Sequence, residues 1–138
     1  MPGTILLEVS TPERMMVQEE VTEVQVPGAT GYLGILPGHS PLLSELGCGP
    51  MWYITTAGVK RYVSVCTGFI EVLPDRVRIL ADRSEYAEEI DIERARAALE
   101  RAQRRLTNPS LGVDISRALF AASRAQARID SATQARNA

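Results

Sequence analysis

The arginines of the last third of the chain have the spacing and chemistry to bind an anion. Two sets recur at intervals of seven and four residues, which aligns each set along one helix face: Arg94, Arg101 and Arg105, and Arg117, Arg124 and Arg128. A guanidinium group binds phosphate or carboxylate oxygens through two parallel hydrogen bonds. Two interpretations stay open, namely a solvated helix face with Glu93 and Glu100 as local partners, or a surface that binds an acidic ligand or protein.

The other reactive side chains are few. The chain's one histidine, His39, has no second histidine or nearby cysteine to complete a metal site, so we expect no metal and a ring bonded to loop backbone. We expect Cys66 to lie in a strand of the core, and Cys48 to be an exposed or half-exposed thiol in a glycine-rich turn, neither with a redox role. An enzyme built on His39 and Cys66 is disfavoured, because no nucleophile, base and orienting acid stand at a recognised spacing.

Composition and charge describe a soluble globular protein. The 138 residues are 45% hydrophobic and 23% charged, with a net charge of −2. We predict no signal peptide, a reducing cytoplasmic setting, and membrane association only through a partner. Residues 1–86 carry six basic and ten acidic side chains, whereas residues 87–138 carry nine arginines and seven acids. This asymmetry predicts an acidic partner, a polyphosphate ligand or contact between the halves; a nucleic-acid binder is disfavoured because the basic helices lack interleaved aromatic residues.

Two periodicities divide the chain into elements that must position these side chains. Up to about residue 82, apolar residues alternate with polar ones, as at residues 22–26 and 76–79, and turn signals such as Pro37-Gly38 and Gly47 to Pro50 recur. This pattern predicts a β-sandwich or flattened barrel of about eight to ten strands over residues 1–86.

Residues 87–138 predict an antiparallel two-helix hairpin. Acids near Asp91 suit a helix N-terminus, Pro109 ends the first helix, and Asp114 opens the second. Its seam is mostly alanine, and a buried methylene-sized group contributes only about 0.8 kcal/mol. We therefore hypothesise a weakly held, mobile regulatory arm.

Several segments then resemble, in order and spacing, the epsilon subunit of the rotary (F-type) ATP synthase of bacteria. They are GILPGHSPL at residues 34–42, GFIEV at 68–72, ILAD at 79–82, and Ile90-Asp91 with Arg94-Ala95. The resemblance covers essentially the whole chain. It implies a sandwich of about ten strands followed by a two-helix hairpin, in agreement with the periodicity.

The resemblance also implies a non-catalytic central-stalk subunit on the cytoplasmic face of the bacterial inner membrane. It would bind the gamma subunit and the c-subunit ring, and would transmit proton-driven rotation to the catalytic head. The apolar loop and its surroundings would form that interface through Tyr32, Leu36, Pro37, His39 and Leu42. Many relatives have an acidic residue at the position of Tyr32. In this chain, packing of the Tyr32 ring or its hydroxyl group would replace a charged contact to the c-subunit ring.

A regulatory ATP site is implied as well. The Ile/Leu-Asp-x-x-Arg-Ala motif of some relatives matches Ile90, Asp91, Arg94 and Ala95, and their glutamate and two arginines match Glu85, Arg124 and Arg128. ATP would hold the hairpin folded, without hydrolysis because no G-x-x-x-x-G-K-[ST] loop is present. An extended hairpin would inhibit ATP hydrolysis. Its arginines would pair with an acidic segment of the beta subunit. The arginines in question are Arg101, Arg104, Arg105 and Arg117, together with Arg124 and Arg128.

An alternative from another class is a stand-alone ATP-binding sensor. In that case the hairpin is the receptor and the sandwich is its scaffold. Co-purification with gamma and the ring separates the two functions.

Overall fold

The computed structural model describes residues 3–108, 110 and 112–138, so Pro109, the predicted helix terminator, lies outside the described residues. Within this part of the chain, six strands precede two helices. The strands are β1 (Ile5–Ser10), β2 (Met15–Gly28), β3 (Gly31–Ile35), β4 (Leu42–Thr55), β5 (Lys60–Leu73) and β6 (Arg76–Tyr86). A short 3₁₀ turn (Ala87–Glu89) leads to α1 (Ile92–Thr107) and α2 (Ile115–Arg136).

The strands form one sheet that folds back on itself. Its order is β1-β6-β5-β4-β2-β3, and β1 pairs with β2 as well as with β6. The pairing of β1 with β6 is parallel, whereas β1 pairs with β2 antiparallel. The sheet therefore closes into a flattened, barrel-like sandwich, which confirms the predicted architecture.

The predicted count of about ten strands is wrong, because six longer strands make the same walls. The segment from Gly47 to Pro50 is not a turn but part of β4. Gly47 lies so close to β2 that a Cβ atom there would come within 2.6 Å of the carbonyl oxygen of Gly28. Because glycine has no Cβ atom, the two backbones can come close together at this point of the sheet.

The core is built from the alternating residues of the strands. Val24, Val26, Val77 and Ile79 are fully buried, so the predicted alternation is confirmed. Tyr53 is the largest fully buried side chain. This continuous apolar core fixes the strands, and with them the cationic side chains that face outward.

The two cysteines occupy paired positions in the sheet. Cys48 of β4 lies directly opposite Cys66 of β5, and the two form a disulfide. Cys66 is buried, as predicted, and Cys48 is half-buried, but the prediction of a free thiol at Cys48 is wrong. The sequence analysis placed Cys48 in a turn. The structure places it in the continuous strand β4, where it lies beside Cys66.

The helices form the predicted hairpin, and it lies folded against the sandwich. Asp91 caps α1 by accepting a hydrogen bond from the Arg94 amide, and Asp114 caps α2 by accepting one from the Arg117 amide, each at 3.1 Å. The seam is formed by buried alanines, which are Ala95, Ala102, Ala118, Ala125 and Ala132. Helix α2 packs on α1 and also contacts β4 and β5.

Gly68 is predicted to be the glycine of the sheet that tolerates a side chain least. Its φ is +132°, and an added Cβ would overlap the carbonyl oxygen of Leu80. Gly68→Ala should lower the free energy of unfolding by at least about 2 kcal/mol. Denaturant unfolding measures this, with Gly34→Ala as the control because nothing lies within 4 Å of the added Cβ there. Equal stability of the two variants would contradict the described β5–β6 packing.

Thiol titration tests the cysteine pairing. The air-oxidised chain, denatured without reductant, should show no free thiol, and the reduced chain should show two, because both cysteines are in the disulfide. Cys48→Ser should expose one thiol before reduction. Two titratable thiols in the unreduced wild-type chain would contradict the pairing.

Candidate functional site

A cleft between the sandwich and the hairpin gathers the cationic side chains of both. Its volume is about 1000 Å³, and we call it the arginine cleft. Seven arginines line it: Arg14, Arg83, Arg101, Arg105, Arg117, Arg124 and Arg128. Three acidic residues, Glu13, Asp82 and Glu85, line it as well. The cleft is therefore a strongly electropositive concavity in a protein of net negative charge.

Most of these arginines form no ion pair with another side chain of the described residues. Arg14 pairs with Glu89 at 2.8 Å, and Arg128 pairs with Glu85 at 2.5 Å. No carboxylate among the described residues lies within ion-pairing distance of the other five, which are Arg83, Arg101, Arg105, Arg117 and Arg124. The positive charge of the cleft is thus largely unneutralised.

Arg124 of α2 is half-buried and lies near other cations. Burial lowers its pKa, and the nearby positive charges of Arg83 and Arg117 lower it further. Its guanidinium lies over the ring of Phe120, with 5.2 Å between the guanidinium carbon and the ring centroid. A half-buried cation that faces like charges is a position where a bound anion would be strongly favourable.

The structure brings together part of the predicted ATP-binding set. Glu85, Arg124 and Arg128 line the arginine cleft, and Glu85 is engaged by Arg128. The remaining four residues of the set do not line the cleft. Asp91 caps α1, Ile90 packs with Ile92 and Ala132, Ala95 is fully buried, and Arg94 is exposed.

The predicted inhibitory arginines are divided between two environments. Arg101, Arg105 and Arg117 face the cleft, whereas Arg104 lies outside its lining and pairs with Glu100 at 2.7 Å. That pair follows the i, i+4 spacing expected of a solvated helix face. Glu100 thus pairs with Arg104, which is outside the two arginine stripes, and the two interpretations of the stripes stay open.

Sequence reasoning missed the contribution of the sandwich to this cleft. Arg14 and Arg83 line it from the first domain. Arg83 stands next to Asp82 in an outward-facing stretch of β6 and, taken alone, has the pattern of a solvated strand residue. Its role in the cleft depends on where the hairpin docks, for which the sequence carries no local signal.

The predicted interface loop is partly exposed. Tyr32 and Leu36 are 53% and 56% exposed, while Pro37, His39 and Leu42 are half-buried. The Nδ1 atom of His39 lies 2.6 Å from the carbonyl oxygen of Ser40, so the expected bond to loop backbone is confirmed. Burial raises the pKa of Tyr32, and the carboxylate of Asp130 raises it further, so this end of the loop borders α2.

Exposed apolar side chains lie on the sheet as well as in the loop. Leu43, Phe69 and Leu80 lie on the outward faces of β4, β5 and β6, and Phe69 is directly opposite Leu80. We call Leu36, Leu43, Phe69 and Leu80 the apolar patch. Its sheet residues were missed, although strand alternation places Phe69 out of phase with buried Ile70.

The described residues contain no group of three or more His, Cys, Asp or Glu side chains placed to hold a metal ion. None of the described helices is long and apolar enough to cross a membrane.

Comparisons with known proteins match both halves of the chain. The family model "ATP synthase, Delta/Epsilon chain, beta-sandwich domain" matches residues 4–87, and "ATP synthase, Delta/Epsilon chain, long alpha-helix domain" matches residues 88–135. The ATP synthase epsilon chain of Solibacter usitatus is 61% identical over 96% of this chain and 98% of its own. That of Moorella thermoacetica is 47% identical over 94% of this chain and 97% of its own.

Solved structures show the same fold. A chain in the Euglena gracilis mitochondrial ATP synthase, described as OSCP/F1/c-ring, matches with a TM-score of 0.80 and 25% identity, covering 100% of this chain and 84% of that one. A chain of the Tetrahymena thermophila central stalk/c-ring matches in fold, with a TM-score of 0.58 and 16% identity over 95% of each chain. A stand-alone sensor finds no support in these comparisons. The chain belongs to the ATP synthase delta/epsilon family and, within it, to the bacterial F-type epsilon chains.

Proposed function

We propose that this chain is a non-catalytic rotor subunit whose folded hairpin binds ATP in the arginine cleft. Membership of the epsilon chains gives it a place in the central stalk of the ATP synthase. The main support for ATP binding is a group of five arginines in the cleft. None of the five forms an ion pair with an acidic side chain among the described residues. A ligand with several phosphate charges would neutralise them.

The partners of this chain are the gamma subunit, the c-subunit ring and the F1 head. The exposed apolar patch and the loop beside it form the surface that we assign to gamma and the ring, because exposed apolar clusters mark protein interfaces. Through these contacts the subunit couples ring rotation to the catalytic head. It is a peripheral part of the membrane-bound complex, and we place it on the cytoplasmic face.

ATP would act as a regulatory ligand at the arginine cleft. The volume of the cleft is in the range of small-molecule sites, which are typically about 300–1,000 Å³. Arg83 comes from the sandwich, whereas Arg117, Arg124 and Arg128 come from α2. A ligand held by both sides would stabilise the folded hairpin by mass action.

Loss of the ligand would free the hairpin to extend and inhibit ATP hydrolysis. The arginines of the cleft repel one another without an anion, and the alanine seam contributes little per residue. An extended arm would present Arg101, Arg105 and Arg117 to an acidic segment of the beta subunit. The same cations would then serve the ligand in one state and the protein partner in the other.

Calorimetric titration of the full chain tests the ATP site. ATP should bind, and Arg124→Ala should weaken binding by about tenfold or more, because charge-assisted hydrogen bonds to phosphate are lost. Arg136→Ala is the matched control, since Arg136 is exposed at the end of α2 and does not line the arginine cleft. Absence of binding at millimolar ATP, or equal effects of the two variants, would contradict the proposal.

Hydrolysis by the assembled enzyme tests the inhibitory arm. Changing Arg104, Arg105 and Arg117 together to Gln should raise ATP hydrolysis several-fold, because the extended arm loses its charge attraction to the beta subunit. A variant with Lys60, Arg76 and Arg78 changed to Gln removes the same charge from the sandwich outside the arginine cleft and should leave hydrolysis inhibited. Unchanged inhibition in the first variant would refute the electrostatic latch.

A further inference from the structure

The disulfide between Cys48 and Cys66 joins β4 to β5 near the middle of both strands. The two cysteines are direct partners in the antiparallel register, so their side chains lie on the same face of the sheet. Helix α2 packs against both of these strands. The bond is therefore part of the surface that supports the hairpin.

The two cysteines differ in their exposure. Cys66 is 3% exposed and lines the space between the sheet and the hairpin, together with Ala125 and Arg128 of α2. Cys48 is half-buried, and the described residues that line this space do not include it. A thiol in solution therefore reaches the sulfur atom of Cys48 more readily than that of Cys66.

The charges around Cys66 favour a thiolate at this position. On the β6 side its direct register partner is Arg83, which forms no ion pair within the described part of the chain. The carboxylates of Asp82 and Glu85 are both engaged in hydrogen bonds to other side chains. The remaining charged side chains around the same space are Glu13, Arg14, Arg101, Arg105, Arg117, Arg124 and Arg128. Cations exceed acids here, and nearby cations stabilise a thiolate.

These differences give the two sulfur atoms separate roles in thiol–disulfide exchange. An incoming thiolate attacks one sulfur, and the reaction is faster when the other sulfur leaves as a stabilised thiolate. Cys48 is the more accessible of the two, and Cys66 is the one that cations surround. A disulfide in a reducing compartment is usually catalytic or redox-sensing rather than structural.

We propose that the Cys48–Cys66 pair is a reversible thiol–disulfide exchange site that reacts with a cellular dithiol. This proposal rests on the proposed place of the subunit on the cytoplasmic face, and it replaces the expectation that neither cysteine has a redox role. Oxidation links the two strands that support α2, and reduction removes the link. The redox state of the cell would thus set how firmly this part of the sheet is held.

The exchange takes place in two displacement steps. A thiolate of the dithiol attacks the Sγ atom of Cys48, the bond between the two Sγ atoms breaks, and Cys66 leaves as a thiolate with the electron pair. The second thiolate of the dithiol then attacks the sulfur that is joined to Cys48, and Cys48 leaves in turn. The dithiol loses two electrons and becomes a disulfide, and its two protons pass to the cysteine sulfurs or to solvent. The same steps in reverse, with an oxidised dithiol, restore the bond.

Reduction of the folded, oxidised chain by dithiothreitol tests whether the bond is open to exchange. The rate should be proportional to the dithiothreitol concentration and should not change with low concentrations of urea, because the thiolate attacks the folded chain. A rate that rises steeply with urea would show that the bond is reached only after unfolding, and would overturn the proposal.

Trapping with a neutral monothiol tests the two roles. Brief reaction with mercaptoethanol, followed by alkylation and peptide mapping, should place mercaptoethanol on Cys48 and the alkyl group on Cys66. Arg83→Gln should slow this reaction several-fold, because the leaving thiolate loses a neighbouring cation. Arg78→Gln is the matched control, since Arg78 lies on the same strand opposite Glu71 and not opposite Cys66. The reverse labelling, or equal rates of the two variants, would overturn the assigned roles.

The state of the pair in cells tests whether the exchange is used. Cells are quenched with acid and alkylated before and after addition of the thiol oxidant diamide. The pair should be mainly reduced in growing cells and mainly oxidised after diamide, and a pair that keeps one state throughout would overturn the proposal. None of these measurements depends on ATP or on hydrolysis. Their failure would leave the proposed function standing, and failure of the ATP titration would leave the exchange site standing.

Discussion

The like charges that face one another across the arginine cleft are the constraint on which the account of this protein depends. Arg83 approaches from the sandwich, and Arg117 and Arg124 approach from α2. In the cleft, repulsion among the arginines opposes the folded position of the hairpin, whereas the Glu85–Arg128 pair and the packing of α2 against β4 and β5 favour it. Many of the buried side chains of the two helices are alanines, each of which contributes little to the packing energy. We therefore propose that a polyanion bound in the cleft would stabilise the folded hairpin.

The two domains differ in how firmly they are held. The sandwich has a continuous apolar core and a disulfide between β4 and β5, so its strands present the apolar patch and Arg83 on a rigid support. The hairpin has two helices whose N-termini are capped, and we propose that it remains helical while its docking changes. In the proposed mechanism, ligand binding and inhibition compete for the same arginines. That competition makes the two functions mutually exclusive without a large change within either domain.

Local patterns in the sequence predicted those parts of the structure that depend on local periodicity. The helix caps at Asp91 and Asp114 and the alanine seam follow from the sequence, because helix periodicity and end signals are local. The strand count and the disulfide both depend on whether the chain turns at Gly47 or continues as β4. The close approach of Gly47 to β2 is a tertiary contact, and the local sequence does not reveal it. Arg124 and Arg128 could be named as candidate ligand-binding residues through the family resemblance. Arg83 could not, because it joins them only through the docking of α2 against the sandwich.

Hydrogen exchange of the α2 amides tests the central claim most directly. The claim is that a polyphosphate ligand in the arginine cleft stabilises the folded hairpin against the sandwich. Exchange would be followed in the full chain at fixed ionic strength, with and without saturating ATP, using the β4 and β5 amides as an internal reference. Amide exchange along α2 should be slower with ATP, and exchange in β4 and β5 should change little. Equal α2 exchange rates in the two conditions would contradict it.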